Sequence, residues 1–175
     1  NMLEILPLLE RGHPLSLLQI ISLRSVALTE RTIQRYLKEY REVYGLDLSG
    51  ARRGEVALPA TGYKEGLARF LKAYFSERSY PPVHGEVSEK LIVSALEHHS
   101  RPAHVVCEIL RAVRESRRLN FAYKPQHPET RRKLASNKVR RGATITQAGY
   151  TAVSMIPRGF SFGGELMLVV GEAIL

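Results

Sequence analysis

The sequence predicts an α+β protein whose three parts follow one another along the chain. Residues 1–60 contain three short helical patterns and then a glycine-flanked hairpin pattern, and residues 61–118 contain three further amphipathic helices. From residue 119 onward, apolar and polar residues alternate at the period of a strand. These observations predict an N-terminal domain (1–60), a helical linker or dimerisation region (61–118) and an antiparallel β module (119–175).

Composition favours a globular protein of a reducing compartment. The chain has 175 residues, of which 44% are hydrophobic and 25% charged, a balance typical of folded domains. It contains no apolar run of about 18 residues that would cross a membrane, and its apolar start lacks the basic leader of a secretion signal. The single cysteine, Cys107, rules out an internal disulfide. We therefore expect a cytoplasmic protein that makes no membrane contact.

Basic charge is concentrated in the C-terminal part of the chain. The formal net charge is +9, but residues 1–100 hold 13 basic and 12 acidic residues, whereas residues 101–175 hold 13 and 5. Such an excess creates a field that attracts phosphates. The nearly neutral N-terminal part can bind an anionic partner only through side chains in defined positions.

Two short helices are predicted at the start of the chain. The apolar residues of 2–11 fall on one helical face, and Gly12 follows as a C-cap candidate. Ser16 and Gln19 have the spacing of a capping box. This spacing predicts a second helix over about residues 16–23.

A third helix is predicted over residues 30–44, between Thr29 as its N-cap and Gly45 as its end. Its apolar residues recur at helical spacing and form one stripe, while basic and amide side chains occupy the other faces. The residues of the stripe are Ile33, Leu37, Tyr40 and Tyr44. One face of this helix is therefore expected to pack and the other to face outward.

A hairpin pattern follows the third helix directly. Residues 46–48 and 55–58 read as strands, and the turn at 49–54 is flanked by glycines. Arg52 and Arg53 stand at the tip of this turn. A hairpin with basic residues at its tip is the wing that a winged helix-turn-helix uses to contact phosphates or the minor groove.

The third helix has the composition of a recognition helix. Arginine and glutamine offer bidentate hydrogen bonds to base edges in the major groove, and threonine with the helix N-terminus holds phosphate. A solvated helix face with ordinary charges is the alternative, and the wing that follows makes DNA binding the better interpretation. The predicted DNA-binding residues are Thr29, Arg31, Thr32, Gln34, Arg35, Lys38, Arg52 and Arg53.

The remainder of the chain is predicted as three helices and then strands. The helices cover about residues 63–77, 86–98 and 102–118. The strands form a meander over residues 119–123, 143–146, 150–156, 159–162 and 165–170.

Two stretches resemble bacterial transcriptional regulators that join an N-terminal winged helix-turn-helix to a C-terminal WYL domain. Residues 31–37 (RTIQRYL) are similar to the recognition helix of that family, with Tyr36 in place of its usual aspartate. Residues 110–123 (LRAVRESRRLNFAY) are similar to the junction of helix and strand that opens a WYL domain. The resemblance covers about residues 2–170 and implies a Sm-like β barrel at the C-terminus.

The C-terminal module departs from the WYL pattern. Leu166, Met167 and Leu168 stand where the signature tripeptide is expected. The module is also short for a Sm-like barrel of about five full strands. Either degeneration or truncation explains these departures, and only in the second case is the chain a fragment of a longer protein.

A basic cluster at residues 111–141 predicts an anionic effector. It holds eleven basic and two acidic residues. The resemblance implies a ligand related to nucleic acids, so the expected effector is a nucleotide or an oligonucleotide; the alternative is a solvated basic surface. The predicted ligand-binding residues are Tyr123, Arg131, Arg132, Lys133, Arg140 and Arg141.

The sequence does not predict an enzyme. His104 and Cys107 share one helical face and supply at most two metal ligands, and neither a carboxylate pair nor a second cysteine completes a site. We assign no catalytic residue, no metal and no cofactor.

The sequence therefore predicts a homodimeric regulator that binds a double-stranded operator and responds to an anionic effector. One alternative is an accessory protein that binds RNA or single-stranded nucleic acid through the basic module. Another is a protein-binding module, for which salt-insensitive partner binding would be the mark.

Overall fold

A computed structural model describes residues 2–22, 28–123, 151–163 and 166–173 of the chain. These residues form a mixed α+β structure, as the sequence predicts. A 3₁₀ turn, Met2–Glu4, precedes the first helix. The α-helices are α1 (Leu6–Leu9), α2 (Leu17–Ser22), α3 (Glu30–Tyr44), α4 (Tyr63–Glu77), α5 (Glu89–Glu97) and α6 (Pro102–Arg114). No described helix is both long enough and apolar enough to cross a membrane.

The bounds of α3 and α4 agree with the predicted ones, whereas α6 ends four residues early. Its end has the hydrogen bonds of a Schellman motif. Ser116 adopts the left-handed region with φ 49°, its N–H donates to Val113 O at 3.3 Å, and the Arg117 N–H donates to Ala112 O at 2.9 Å. Because the residue at this position is serine and not glycine, the sequence did not indicate the end of the helix here, and the helix was predicted to continue to residue 118.

The strands of the described residues form two sheets. The smaller sheet has β1 (Leu15–Ser16) paired antiparallel with β2 (Glu55–Val56). The larger sheet contains β3 (Val83–His84), β4 (Leu119–Tyr123), β5 (Thr151–Gly163) and β6 (Leu166–Ala173). The sequence did not predict β1 or β3, which are too short to show a period. The strand predicted at 55–58 is present as β2, whereas the strand predicted at 46–48 does not form, because Ser49 alone pairs there, in an isolated bridge with Val56.

The strand β5 organises the larger sheet. The predicted strands at 150–156 and 159–162 are one continuous strand, with a register shift between Pro157 and Gly159. Phe160 pairs with both β3 and β6, and Met155 pairs with both β4 and β6. Among the described strands, β3 and β4 therefore lie on one side of β5 and β6 lies on the other. The described strands β4, β5 and β6 thus form the predicted meander, to which β3 adds a parallel pairing. The strand predicted at 143–146 lies outside the described residues.

A close approach of the backbone allows β3 to join this sheet. The Phe160 N–H donates to Pro82 O at 2.9 Å. Gly85 follows β3 with φ +85°, and a Cβ built there would lie 1.8 Å from Phe162 O. Only glycine fits this position without a shift of the backbone.

One hydrophobic cluster runs through the structure. It contains buried residues from the N-terminal turn, from all six helices and from β5, and includes Ile5, Ile33, Leu71 and Phe160. Each of these four side chains is at most 1% exposed. The N-terminal helices and the larger sheet therefore share one core among the described residues.

Candidate nucleic-acid interface

Local sequence fixes both ends of α3. At the start, Thr29 Oγ1 accepts a hydrogen bond from the Thr32 N–H at 3.3 Å and lies 2.9 Å from Thr32 Oγ1. At the end, Gly45 adopts the left-handed region with φ 65°, and its N–H donates to Tyr40 O. Both predicted caps of this helix are confirmed.

The two faces of α3 are separated as the sequence predicts. Ile33 and Tyr40 are buried, while Leu37 and Tyr44 are partly buried and pack against the core. Burial strongly raises the pKa of the Tyr40 hydroxyl, and the neighbouring Tyr44 adds to this effect. Tyr40 therefore stays neutral and anchors the helix through its ring.

The outward face of α3 carries the predicted DNA-binding side chains. Arg31, Gln34, Arg35 and Lys38 are exposed, and Thr32 is partly buried beneath them. This face can therefore present two guanidinium groups, an amide and an ammonium group to one partner.

Neighbours on α3 hold several of these side chains. Gln34 Nε2 donates to Glu30 Oε1 at 3.0 Å, and Lys38 Nζ lies 3.9 Å from a Glu42 carboxylate oxygen. The Arg35 guanidinium lies over the Tyr36 ring at 5.6 Å from its centroid. These are exposed contacts of low energy, which a nucleic acid can replace.

The turn that carries Arg52 and Arg53 is closed by short-range hydrogen bonds. The Arg52 N–H donates to Glu55 Oε2 at 3.2 Å, the Glu55 N–H donates to Arg52 O at 3.1 Å, and the Gly50 N–H donates to Glu55 O at 2.9 Å. Both arginines are exposed. The backbone of the turn is thus held in place while its two guanidinium groups face solvent.

The smaller sheet ties this turn to the helices. Leu15 pairs with Val56, which is buried at 1% exposure, and the Leu17 N–H donates to Gly54 O at 3.3 Å. The predicted capping box of α2 is confirmed, because the Ser16 N–H donates to Gln19 Oε1 at 2.8 Å and the Gln19 N–H donates to Ser16 Oγ at 3.2 Å. The start of α2 and the base of the turn are therefore one unit.

The predicted ligand-binding residues fall largely outside the described part of the chain. Tyr123 is the last residue of β4, where its backbone pairs with Thr151. The other five, Arg131, Arg132, Lys133, Arg140 and Arg141, lie outside the described residues. The effector site of the basic cluster stays a prediction.

The structure also forms a cavity that the sequence did not indicate, which we call the inter-helix cavity. It has a volume of about 560 Å³ and lies between the N-terminal 3₁₀ turn, the end of α4 and the last turns of α6. Its polar and aromatic lining includes Tyr74, Arg78, Tyr80, Cys107, Arg111 and Arg114. Sequence reasoning placed Arg111 and Arg114 in the basic cluster but gave no signal for Arg78, which joins them only through tertiary packing.

Cys107 and the histidines form no metal cluster within the described ranges, where no three His, Cys, Asp or Glu residues come together. Cys107 is buried, and Arg111 Nη2 donates to its Sγ at 3.9 Å. Burial raises the pKa of the Cys107 thiol above its ordinary value, and the Arg111 charge offsets part of this effect.

Comparison of the chain with protein-family models, with curated proteins and with solved structures finds no match.

Proposed function

We propose that this chain is a sequence-specific DNA-binding transcriptional regulator that reads the major groove with α3. The observation that carries the proposal is the division of α3 into two faces. Ile33 and Tyr40 fix the helix to the core, and the opposite face presents Arg31 and Gln34 near its Thr29-capped start. Recognition helices contact base edges with the N-terminal residues of such a face.

The order of the elements supports a winged helix-turn-helix. A helix, a short strand, two helices and a turn closed by the Ser49–Val56 bridge follow one another, and β2 at the end of this turn pairs with β1 between the first two helices. In this arrangement α3 follows α2 as the recognition helix, and Arg52 and Arg53 at the hairpin tip contact flanking phosphates or the minor groove.

In this proposal the C-terminal module regulates the DNA-binding part. We propose that the β4–β6 sheet belongs to the Sm-like module that the WYL resemblance implies. The residues proposed to bind a nucleotide or an oligonucleotide are Tyr123, Arg131, Arg132, Lys133, Arg140 and Arg141. Two copies of the chain bind a pseudo-palindromic operator as a homodimer, because a two-fold dimer doubles the small interface of one DNA-binding unit. The effector changes operator affinity to the extent that it binds one dimer arrangement better than another.

Selection of duplexes from a random-sequence library at fixed salt tests the proposal. We expect the wild-type chain to enrich two half-sites, and we expect Arg31→Ala and Gln34→Ala to weaken binding to the selected duplex. The loss of one bidentate base contact costs about 1–3 kcal/mol, which is about 5- to 150-fold in Kd. The loss should also be largest for one base position, because each side chain reads a particular base edge.

Lys72→Ala is the matched control for this experiment. Lys72 is an exposed cation on α4, so its replacement removes charge without touching α3. Operator affinity should then change little. Equal losses in all three variants, or preferential salt-sensitive binding to single strands, would instead favour the accessory protein that binds RNA or single-stranded nucleic acid.

A further inference from the structure

Three guanidinium groups from two helix ends line the inter-helix cavity. Arg78 is the C-cap residue that directly follows α4, and Arg111 and Arg114 belong to the last turn of α6. Two carboxylates, Glu4 and Glu77, also line the cavity, so arginines outnumber carboxylates by one among the lining residues, while Glu108 and Glu115 pair with Arg111 and Arg114 from outside the lining. Planar guanidinium groups bind phosphate and carboxylate with paired hydrogen bonds.

Neighbours orient all three arginines. Arg111 Nη1 lies 2.9 Å from Glu108 Oε1, Arg114 Nη2 lies 3.3 Å from Glu115 Oε1, and the Arg78 guanidinium lies over the Tyr74 ring at 4.5 Å from its centroid. A side chain that is already held loses less conformational entropy when it binds a ligand. The positive groups of the cavity are therefore partly arranged for an anion before one binds.

Most of the remaining lining is aromatic or apolar. Tyr74 and Tyr80 contribute rings, and Tyr80 is 47% exposed although it is a large aromatic residue. Leu3 and Leu110 add apolar surface, and Ser79 adds a hydroxyl group. The cavity therefore combines charged groups with ring surface, and its volume lies within the range of about 300–1,000 Å³ that is typical of small-molecule sites.

We propose that the inter-helix cavity binds a small organic anion that has a planar ring and one compact charged group, a phosphate or a carboxylate. The charged group binds Arg78, Arg111 and Arg114, and the ring packs against Tyr74 and Tyr80. The cavity volume of about 560 Å³ fits one such molecule and not a nucleic-acid strand. The two glutamates also favour a single compact charge over a polyanion.

This site differs from the predicted effector site, which depends on Tyr123 and residues 131–141. It neither requires nor tests the binding of DNA. A failure of one proposal therefore leaves the other standing.

Cys107 provides a reporter for occupancy of the cavity. It is the single cysteine of the chain, it lines the cavity and its side chain is nearly buried. A neutral alkylating reagent such as monobromobimane therefore labels one known position, and its access to the sulfur passes through the space that the ligand would fill.

The experiment measures the rate of Cys107 alkylation in the full chain, without DNA, while four probes are titrated in the millimolar range. Adenosine 5′-monophosphate carries a ring with a phosphate and salicylate a ring with a carboxylate, whereas adenosine supplies the ring alone and inorganic phosphate the charge alone. A ring anion at ten times its Kd should slow labelling about tenfold, and the other two probes should have much weaker effects. The ring anion that protects Cys107 more strongly shows whether the site prefers a phosphate or a carboxylate.

Saturation-transfer NMR of the ring protons gives a second measurement that does not use the thiol. Arg78→Gln and Arg114→Gln should each weaken binding of the protecting ring anion about tenfold, because a hydrogen bond to a charged group is lost. Arg118→Gln is the matched control, since Arg118 is exposed and lies outside the cavity lining. The proposal is wrong if neither ring anion protects Cys107, if inorganic phosphate alone protects as well, or if the variants bind like the control.

Discussion

Glu10 connects parts of the chain that are far apart in sequence. Its Oε1 accepts hydrogen bonds from the Tyr63 hydroxyl at 2.8 Å and from the Ala103 N–H at 2.7 Å, and its Oε2 accepts one from the His104 N–H at 2.7 Å. Arg101, the N-cap residue of α6, makes no side-chain cap of its own. A carboxylate that follows α1 therefore caps α6 and complements the positive end of its dipole.

Replacing Glu10 with glutamine should destabilise the protein by about 2 kcal/mol, because hydrogen bonds to a charged acceptor are lost and an amide N–H₂ is placed against backbone donors. The measurement is the midpoint of urea unfolding, followed by far-ultraviolet circular dichroism. Glu39→Gln on the exposed face of α3 is the control, and it should change the unfolding free energy by less than about 0.5 kcal/mol. An equal, small effect of both substitutions would show that the Glu10 cap adds little to stability.

At the scale of elements, α3 has the most complete local determinants in the described chain. It begins at a threonine cap, ends at a left-handed glycine and packs Ile33, Leu37, Tyr40 and Tyr44 as one stripe against the core. These signals are all local, which explains why the predicted bounds match the observed ones. The same helix is proposed to contact DNA, so its start must be well ordered to position Arg31.

Thr29→Ala should lower the free energy of unfolding by about 1 kcal/mol, because the Thr32 N–H loses its side-chain acceptor. Thr29→Ser keeps an acceptor oxygen and should stay close to wild type in stability. Urea unfolding of the free protein measures both variants, so DNA contacts of Thr29 do not enter the comparison. A serine variant as unstable as the alanine variant would assign the effect to the lost methyl group instead of the cap.

At the scale of the whole molecule, aromatic rings connect α3 to the larger sheet. Tyr40 packs on Phe70 with 5.1 Å between ring centroids, Phe70 is 6.0 Å from Tyr74, and Phe75 packs on Phe160 at 4.8 Å. Tyr74 and Phe75 are also in contact at 5.8 Å. This continuous packing predicts that the proposed DNA-binding unit and the sheet unfold together.

Phe160→Ala tests this cooperativity. Phe160 lies in β5 and is 1% exposed, so truncation should cost about 3–5 kcal/mol. Hydrogen exchange followed by mass spectrometry measures the protection of α3 amides. The slowest α3 amides are those that exchange only when the whole protein unfolds. If the core is one cooperative unit, these amides should lose protection together with the amides of β5. Loss of protection confined to the sheet would show two independently stable parts.

The prediction of α3, α4 and the α2 capping box from sequence succeeded because period, caps and turn residues act within a few positions along the chain. The same local information identified the two-faced α3 and the hairpin tip with Arg52 and Arg53. It did not identify β1 or β3, since two-residue strands have no period and exist only through their partners. By itself the sequence determined the class, α+β, and the helices with strong caps.

Tertiary structure alone decided which distant residues meet. The carboxylate of Glu10 reaches the start of α6 across 93 residues of chain, and Arg78 joins Arg111 and Arg114 around one cavity. No local pattern marks such positions, because an exposed and a buried glutamate look alike in sequence, as do a solvated arginine and one that lines a cavity. Their roles follow from burial and proximity, which arise only when the helices pack.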